Sequence, residues 1–297
     1  MLHLPANKTG FRFDANLKPI AIVENGAEIL VDTLDNQAGR IRCESDFGSS
    51  GVDNVNPVTG PIGISSVAPG DIVRIDILQI KVASYGHIQL LKGYGLLTGR
   101  VEAPQTKIVT IADDKIFFND RIVLPLRPMV GTIGVAPREG ASALAAGDYG
   151  GNMDNKDVAP GCTLYVKAQV PMGLVYLGDL HAIMGDGEVC LNGVEVAGTI
   201  RLKLGVEKGL RLRNPMLETP ESWEVIVYHP DIEKAIEIAC EDMAYFLSER
   251  LSISLADAIM LTSVACDVRI CQAAPHRASG ASVRVVVEKS MFGAPNI

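Results

Sequence analysis

The sequence predicts a mainly β fold with α+β elements: β-sandwich or barrel-like sheets followed by a C-terminal helix pair. Short apolar runs separated by turn residues recur over the first three quarters of the chain, whereas helical spacing of apolar residues begins only at Asp231. Aromatic residues make up 5% of the chain, and glycines number 29. That balance is typical of strands joined by tight turns, and the strand spacing argues against alternating βαβ units.

The composition allows a large core. Hydrophobic residues make up 47% of the 297 residues and charged residues 21%, which argues against disorder. We find no internal repeat and no Gly/Ser linker, so we expect a single compact unit over residues 1–297. Within it we distinguish a β-rich N-terminal part (about 1–140), a β part that bears the candidate site (about 141–228), and a helical and final-strand part (about 229–297).

The first third alternates apolar runs with turn signals. Residues 20–32 hold two apolar runs around Asn25-Gly26, a pair favoured in tight hairpin turns, so they predict a β-hairpin. Residues 56–62 carry prolines and glycines that indicate a fixed loop. Residues 72–77 alternate apolar and polar side chains, as expected for a strand with one buried face.

The middle of the chain predicts more strands. Residues 127–137 are neither polar nor regular, and their glycines and prolines indicate a rigid loop. Further strands are predicted at 107–111, 115–118, 121–124, 162–170, 174–177, 188–190, 194–203 and 222–228.

The last quarter predicts two helices and a strand. Residues 231–247 place apolar side chains at helical spacing after an acidic start. A second helix is predicted at 255–265, where Ser254 and Asp257 resemble a capping arrangement. Residues 282–288 predict the final strand.

Charge and targeting signals exclude several classes of partner. The net charge of −8 argues against nucleic acid, because phosphate binding needs an excess of Lys and Arg. No stretch has the roughly 18 apolar residues of a membrane helix, and the first residues lack the apolar core of a signal peptide. Six scattered cysteines without a CxxC pair indicate reduced thiols. We therefore expect a cytoplasmic protein that binds neither nucleic acid nor membrane.

Residues 178–190 form the densest group of ligand-type side chains. Asp179 and His181 are two residues apart, so on a strand they share a face. Asp186 and Glu188 are also two apart, beyond a glycine-rich turn, and a hairpin would bring all four together. Because clustered carboxylates repel one another, a divalent cation would resolve the conflict. The alternative is a polar turn whose acids act only as caps.

A second segment adds a carboxylate. Asp154 follows two glycines and Asn152, and could serve as a ligand beside backbone N–H groups, or form an ordinary Asn/Asp turn. Histidine nitrogen with carboxylate oxygens suits zinc, which we favour, and additional oxygens would admit calcium or magnesium.

Cys190 has two interpretations. It could be a nucleophile activated by His181, but a cysteine between Val189 and Leu191 is more often a small core residue. The remaining histidines are interpreted as structural or solvated: His3, His87, His229 and His276.

Together, several short motifs resemble the acetamidase/formamidase family, in family order over about residues 20–290. The matching stretches are 56–61 (Asn-Pro-Val-Thr-Gly-Pro), 69–71 (Pro-Gly-Asp), 127–131 (Arg-Pro-Met-Val-Gly), 134–137 (Gly-Val-Ala-Pro), 150–154 (Gly-Gly-Asn-Met-Asp), 178–181 (Gly-Asp-Leu-His), 185–190 (Gly-Asp-Gly-Glu-Val-Cys) and 267–272 (Asp-Val-Arg-Ile-Cys-Gln). The resemblance implies hydrolysis of formamide or acetamide to a carboxylate and ammonia. It also implies a β-rich fold and a homo-oligomer, commonly a dimer.

Residue chemistry then suggests roles within that reaction. A metal held by His181 with some of Asp154, Asp179 and Glu188 would activate water and polarise the amide. Glu188 or Asp186 would carry a proton to the leaving ammonia. Asn152, or backbone N–H groups near Gly150 and Gly151, would stabilise the oxyanion.

Three alternatives remain open at this point. Cys190 could act as the nucleophile instead of water. The substrate could be another small C–N compound, such as a urea or a carbamate. The protein could also be a non-catalytic one that holds a cation structurally.

Overall fold

A computed structural model describes residues 1–47, 54–273 and 280–292. The first strands are β1 (Leu2–Leu4), β2 (Thr9–Gly10), β3 (Arg12–Phe13), β4 (Ala21–Val23), β5 (Ala27–Thr33), β6 (Val58–Ile64), β7 (Ile72–Val82), β8 (Tyr85–Leu90), β9 (Gln105–Ala112), β10 (Lys115–Phe117), β11 (Val123–Pro125) and β12 (Met129–Val135). They are followed by β13 (Ala141–Ser142), β14 (Ala146–Gly147), β15 (Gly150–Asn152), β16 (Thr163–Lys167), β17 (Val175–His181), β18 (Glu195–Val196), β19 (Gly198–Glu207), β20 (Met216–Glu218), β21 (Ser222–His229), α1 (Ile232–Leu251), α2 (Leu255–Ala265), β22 (Cys266–Gln272) and β23 (Ala281–Glu288).

Two large open sheets make up the fold. The nine-stranded sheet has the order β1-β5-β19-β7-β16-β20-β21-β23-β22, so it takes strands from all three predicted parts of the chain. The twelve-stranded sheet has the order β11-β10-β9-β8-β18-β17-β12-β15-β14, with β6 added beside β17 and joined to β2 and β4. The predicted fold class, mainly β with a C-terminal helix pair, is confirmed, while the three-part division stays a prediction.

Apolar side chains from both sheets share the main core. Ile75 and Leu202 from the nine-stranded sheet and Ile133 and Leu177 from the twelve-stranded sheet are fully buried in one cluster. A second cluster lies under the helices, where Met243 and other α1 residues pack against the last strands. Removing this apolar surface from water is the main force that holds the layers together.

The two helices begin at the capping residues that the sequence indicates. Asp231 accepts hydrogen bonds from the backbone N–H groups of Glu233 and Lys234 at the start of α1. Ser254 accepts one from Asp257 at the start of α2. Neither helix is long and apolar enough to cross a membrane, within the residues that the structure describes.

The predicted hairpin over residues 20–32 is wrong. β4 pairs in parallel with β6 in the twelve-stranded sheet, whereas β5 pairs with β1 and β19 in the other sheet. The turn is held by β19, because Asn25 Oδ1 accepts from the N–H of Val206 and Gly26 donates to the carbonyl of Leu204. At the Asn-Gly turn the chain therefore leaves the twelve-stranded sheet and enters the nine-stranded sheet.

Three other predictions of local structure are corrected. The sequence predicts loops at residues 56–62 and 127–137, but β6 begins at Val58 within the first range and β12 lies wholly within the second. All seven residues of β12 are buried, so no polar face marks it as a strand. Residues 188–190 form a turn and not a strand, because Glu188 has a left-handed backbone with φ of 40°.

Candidate active site

β17 carries the centre of the site. It lies between β18 and β12 in the twelve-stranded sheet, and all seven of its residues are buried. Asp179 and His181 meet as their spacing predicts, with Oδ1 of Asp179 3.6 Å from Nε2 of His181. The site is thus built on a strand covered on both sides, where its side chains are shielded from water.

Three further carboxylates surround His181. Glu195 on β18 lies opposite His181 in the strand ladder and places Oε1 3.2 Å from Nε2 of His181. Glu188, in the loop after β17, places Oε1 3.9 Å from the same nitrogen. Asp154, just after β15, completes the set, and each of these five side chains is at most 5% exposed. We call these five residues the acid–histidine cluster.

Neutral side chains hold the carboxylates in place. Asn56 Nδ2 donates to Asp179 Oδ2 at 2.9 Å and to Asn152 Oδ1 at 3.1 Å. Asn152 Nδ2 in turn donates to Asp154 Oδ2 at 2.7 Å. Gln272, at the end of β22, donates through Nε2 to Asp154 Oδ2 and Glu188 Oε2, both at 2.6 Å.

The backbone is unusual at four of these residues. Asn56, Asp154, Asp179 and Glu188 all have left-handed backbones, with φ of 54°, 44°, 57° and 40°. A residue other than glycine rarely adopts this conformation, and it persists only where the surroundings enforce it. Its concentration around one cluster indicates that the surrounding fold holds these backbones in place.

Burial and mutual repulsion raise the pKa of three carboxyl groups of the cluster, those of Asp154, Glu188 and Glu195. Burial, with repulsion from Glu195 and Asp179, raises the pKa of Glu188 to about 7 against the opposing charge of His181. Burial also raises the pKa of Glu195 to about 8, although His181 opposes it. The pKa of Asp154 is raised well above its usual range by burial and by the nearby Glu188 and Asp179.

The pKa of His181 is also raised, which for an imidazole favours the charged form. Burial lowers the pKa of an imidazole, but the charges of Glu195 and Asp179 outweigh this effect and raise the pKa of His181 well above its usual value. One imidazolium cannot neutralise four ionised carboxylates. At neutral pH the cluster therefore either keeps protons on some of its acids, as their raised pKa values indicate, or binds additional positive charge.

The cluster fits a divalent cation. Among the described residues, Asp154 Oδ1, Glu195 Oε2 and Nδ1 of His181 are buried without a hydrogen-bond partner. Nε2 of His181 lies 3.2 Å from Glu195 Oε1 but lacks the alignment of a hydrogen bond. Ligand atoms of Asp154, His181 and Glu188 lie within 4.8 Å of one another, and so do those of Asp179, His181 and Glu195. Unpartnered buried donors and acceptors are costly, and a cation would engage the acceptors among them.

The glycines before Asp154 have a packing role. A Cβ at Gly150 would lie 2.5 Å from the carbonyl oxygen of Ile133, and one at Gly151 would lie 2.2 Å from that of Ala145. Both glycines have positive φ, of 86° and 91°. They let β15 lie close to its neighbours, which brings Asp154 to the cluster.

Asp186 lies apart from the acid–histidine cluster. Its carboxylate accepts from both terminal nitrogens of Arg284, at 2.9 and 3.0 Å, and from Lys156 Nζ at 2.8 Å. Although burial opposes it, these cations lower the pKa of Asp186. The left-handed Gly187, with φ of 92°, separates Asp186 from Glu188. The expectation that Asp186 joins the other acids is therefore corrected, while its role as a proton carrier stays an untested prediction that its lowered pKa disfavours.

Arg284 holds a second group of acids beside the site. Its guanidinium is fully buried and also contacts Asp157 at 3.0 Å and Glu224 at 3.6 Å. Burial, and then repulsion from Asp157, raise the pKa of Glu224 to about 7, although Asn155 and Arg284 oppose this.

This raised pKa predicts a pH effect on stability. The unfolded chain releases the Glu224 proton near its usual pKa, whereas the folded chain keeps it until about pH 7. Stability therefore falls as pH rises through this window. We expect Glu224→Gln to gain stability relative to the wild type between pH 5 and pH 8, measured by urea unfolding. The same change at the exposed Glu233 should show no such trend; a Glu224→Gln difference that is independent of pH would contradict the assignment.

Cys190 stands outside the acid–histidine cluster. Its half-buried thiol contacts the carbonyl oxygen of Asn192 at 3.6 Å, and burial raises its pKa. A raised pKa disfavours the thiolate that a nucleophile needs. Cys190 instead lines a cavity of about 570 Å³ together with Met184, Asn192 and Gly193.

Gly193 joins this cavity to the cluster. A Cβ at Gly193 would lie 2.6 Å from both Cγ and Nδ1 of His181, so any larger residue must displace the imidazole. We expect Gly193→Ala to lower kcat by about 10²-fold, since small displacements of a reacting group cost this much. Gly185→Ala in the same loop, where a Cβ meets nothing within 4 Å, is the matched control. Steady-state rates equal to the wild type for both variants would show that the position of the ring does not matter.

The structure adds residues that the sequence did not single out. Glu195 is fourteen positions after His181, and only the pairing of β17 with β18 brings them together. Asn56 and Gln272 lie in matched motifs, but nothing local gives their partners. Of the other histidines, His87 is buried against Asn36, with Nε2 3.0 Å from Oδ1, and His276 lies outside the described residues.

Comparisons with known proteins agree with this picture. The model of the acetamidase/formamidase family matches residues 5–140 and 135–275. A solved acetamidase from Bacillus halodurans is 34% identical with a TM-score of 0.94, and 100% of each chain is covered. The crystal structure of a protein described as a predicted acetamidase/formamidase, from Thermoanaerobacter tengcongensis, has a TM-score of 0.92. Its sequence is 35% identical, and the match covers 98% of this chain and 96% of that one.

A formamidase from Methylophilus methylotrophus is 26% identical over 70% of this chain. The match covers 67% of that relative, so this chain corresponds to about two thirds of its length. The family model spans most of the chain, and solved relatives above 30% identity match it from end to end. The chain therefore belongs to the acetamidase/formamidase family.

Proposed function

We propose that the acid–histidine cluster is the catalytic centre at which this amidase hydrolyses small aliphatic amides, formamide or acetamide, to a carboxylate and ammonia. One observation carries the proposal: four carboxylates and one imidazole converge in a buried site with unpartnered ligand atoms. Such a group is unfavourable unless it has a charged partner or a reaction to serve. Family membership and the acetamidase and formamidase relatives supply the class of substrate.

The residues suited to hold a divalent cation are His181 with Asp179 and Glu195, or His181 with Asp154 and Glu188. Zinc is favoured because it accepts histidine nitrogen with carboxylate oxygen, and calcium or magnesium are the alternatives. When bound, such an ion polarises the amide carbonyl and makes a neighbouring water more acidic. The residues of this chain position the ion and move the protons.

Glu188 is the proposed proton carrier when the ion is held by the other ligand set, His181 with Asp179 and Glu195. Burial raises the pKa of Glu188 to about 7 in the absence of an ion, and a bound cation lowers it from there. Outside the coordination shell, its carboxylate can accept a proton from the attacking water and then donate it to the amide nitrogen. The C–N bond breaks as that nitrogen gains its proton, so ammonia leaves and the acyl carbon keeps the water oxygen. Gln272 holds Glu188 Oε2 at 2.6 Å and fixes the direction of the carboxylate.

Asn152 has a positioning role in this proposal. Its amide nitrogen donates to Asp154 and its oxygen accepts from Asn56, so both ends are engaged. We therefore assign it to orienting Asp154, in place of the oxyanion contact that its sequence position suggested.

The alternatives predict different measurements. A Cys190 nucleophile would form an acyl-enzyme and be inactivated by thiol reagents. A related small C–N substrate, such as a urea or a carbamate, would release ammonia while acetamide and formamide would not. A non-catalytic protein would release none from any of them. The position of Cys190 outside the acid–histidine cluster and its raised pKa favour water as the nucleophile.

An ammonia-release screen tests the proposal. We expect the purified enzyme to hydrolyse formamide and acetamide and to react more slowly with urea and carbamates. We also expect Cys190→Ala to keep most of the activity and a thiol reagent to leave that variant unaffected. Loss of activity in Cys190→Ala, with an acyl-enzyme visible by mass spectrometry in the wild type, would replace the water mechanism with the thiol one.

The setting of the enzyme follows from the same features. The cysteines of the chain are free thiols, which a reducing compartment maintains, so we place the enzyme in the cytoplasm. We also propose that it forms a homo-oligomer, with the dimer as its basic unit.

A further inference from the structure

β22 forms one edge of the nine-stranded sheet. It pairs with β23 on one side only, and among the described residues its other side is covered just at its end, where Gly187 bridges to Gln272. The N–H of Gly187 donates to the carbonyl of Cys271, and the N–H of Ala273 donates to that of Gly187. No strand within residues 1–47, 54–273 and 280–292 pairs with the edge from Cys266 to Ile270, and an open edge is a template for another strand.

One face of this edge is apolar. Val268 and Ile270 are 47% and 37% exposed on β22, and α2 beside it exposes Ile259, Met260 and Val264. Val264 is 82% exposed. α2 carries a single charged residue, Asp257, and buries only Ala258. A helix that is apolar nearly all round is expected to be covered by another surface.

We propose that this edge pairs antiparallel with β22 of a second copy of the chain, around a two-fold axis at Val268. The pairing joins two nine-stranded sheets into one continuous sheet. In this register Val268 faces the second copy's Val268, and Cys266 faces the second copy's Ile270. Asp267 then lies opposite the second copy's Arg269, and Arg269 opposite the second copy's Asp267.

The charge pattern carries the choice of partner. Asp267 and Arg269 flank Val268 symmetrically and already contact each other at 2.9 Å within the strand. A two-fold axis makes this pattern self-complementary, because each acid meets a base of the other copy. An unrelated partner strand would have to supply the matching base and acid at these two positions.

The other sheet offers a contrasting edge. β11 exposes Val123 at 48%, nearly the same fraction as Val268, but it ends in Pro125. Proline cannot donate to a neighbouring strand and is a common means of blocking an edge. β22 has no such block within Cys266–Ile270.

The interface also bears on the site. Gln272, which holds Asp154 and Glu188, is at the end of the same strand, four residues from the proposed axis. Pairing at residues 266–270 would fix the strand that carries this side chain. The proposal is independent of the reaction assigned to the acid–histidine cluster, and its test measures assembly and not turnover.

Val268→Lys is the first test. It places two lysines directly opposite each other across the axis, where like charges are destabilising. By size-exclusion chromatography with light scattering, we expect the wild type to elute with the mass of an assembly that contains dimers and Val268→Lys to lose this contact. Val123→Lys, the matched control on β11, should keep the wild-type mass. Circular dichroism should show all three folded.

A mixing experiment tests the register itself. Asp267→Lys alone puts lysine opposite arginine, and Arg269→Asp alone puts aspartate opposite aspartate, so each should weaken self-association by about tenfold or more. Mixed in equal amounts, the two variants present complementary charges at every pair and should form a heterodimer. A contact confined to one chain cannot produce this rescue.

Three outcomes would overturn the proposal. The first is a wild type that stays monomeric over the full concentration range, which would leave the surface to a different partner. The second is an assembly unchanged in Val268→Lys, which would place the interface on another face. The third is the absence of heterodimer on mixing, which would exclude this antiparallel register.

Discussion

His181→Ala is expected to lose both bound divalent metal and amide hydrolysis, with ammonia release from formamide or acetamide falling by about 10³-fold or more. His181 belongs to both sets of candidate ligands. In each set, the ligand atoms of His181 and of two acids lie within 4.8 Å of one another. Removing the imidazole also leaves four buried carboxylates without their only basic neighbour in the cluster. The measurements are steady-state ammonia release and metal content by elemental analysis.

Asp154→Ala should also lower both bound metal and ammonia release, since it removes a buried ligand oxygen that has no hydrogen-bond partner among the described residues. Cys190→Ala is the matched control, because its thiol lies in the neighbouring cavity and should leave metal and turnover nearly unchanged. A His181→Ala variant that folds, binds no metal and still turns over at the wild-type rate would remove the cluster from the mechanism.

The second large effect is on stability. Arg284→Met is expected to lower the free energy of unfolding by about 3–5 kcal/mol, because it strips the counter-charge from buried and half-buried acids. Arg284 is fully buried and contacts Asp157, Asp186 and Glu224. The measurement is urea unfolding at constant pH, with the slope checked for a change in the unfolded state.

Arg74→Met provides the control for this loss. Arg74 is also an arginine in the nine-stranded sheet, and its side chain pairs with Asp76 at 2.9 Å, but it is 43% exposed. Water screens such a pair, so we expect a cost of about 1 kcal/mol or less. Equal losses for the two variants would mean that Arg284 contributes only its packing and not its charge.

Elements with a clear local start signal could be predicted from sequence. α2 covers the predicted residues 255–265, and its cap Ser254 is where the sequence places it. β12 was not predicted, because a strand buried on both faces shows no alternation of polar and apolar residues. The exchange of the chain between sheets at Asn25-Gly26 was also hidden, since the turn is held by β19, far along the sequence.

The site residues also fall into those that could be predicted from sequence and those that could not. Asp179 and His181 were predicted to meet because they are neighbours on one strand, and they do. Glu195 could not be found, because its place beside His181 depends on the pairing of β17 with β18. Asp186 was grouped with the acids on spacing alone. The turn at Gly187 and the buried Arg284, nearly a hundred residues away, take it elsewhere.

Metal content and turnover, followed together in one sample, test the central claim most directly. The purified enzyme is assayed for ammonia release, stripped with a chelator, and titrated with zinc, calcium or magnesium while metal per chain is determined. We expect activity to vanish on stripping and to return in proportion to bound metal, and Glu195→Gln to require a higher metal concentration. Full activity in a sample from which all metal has been removed would contradict the account.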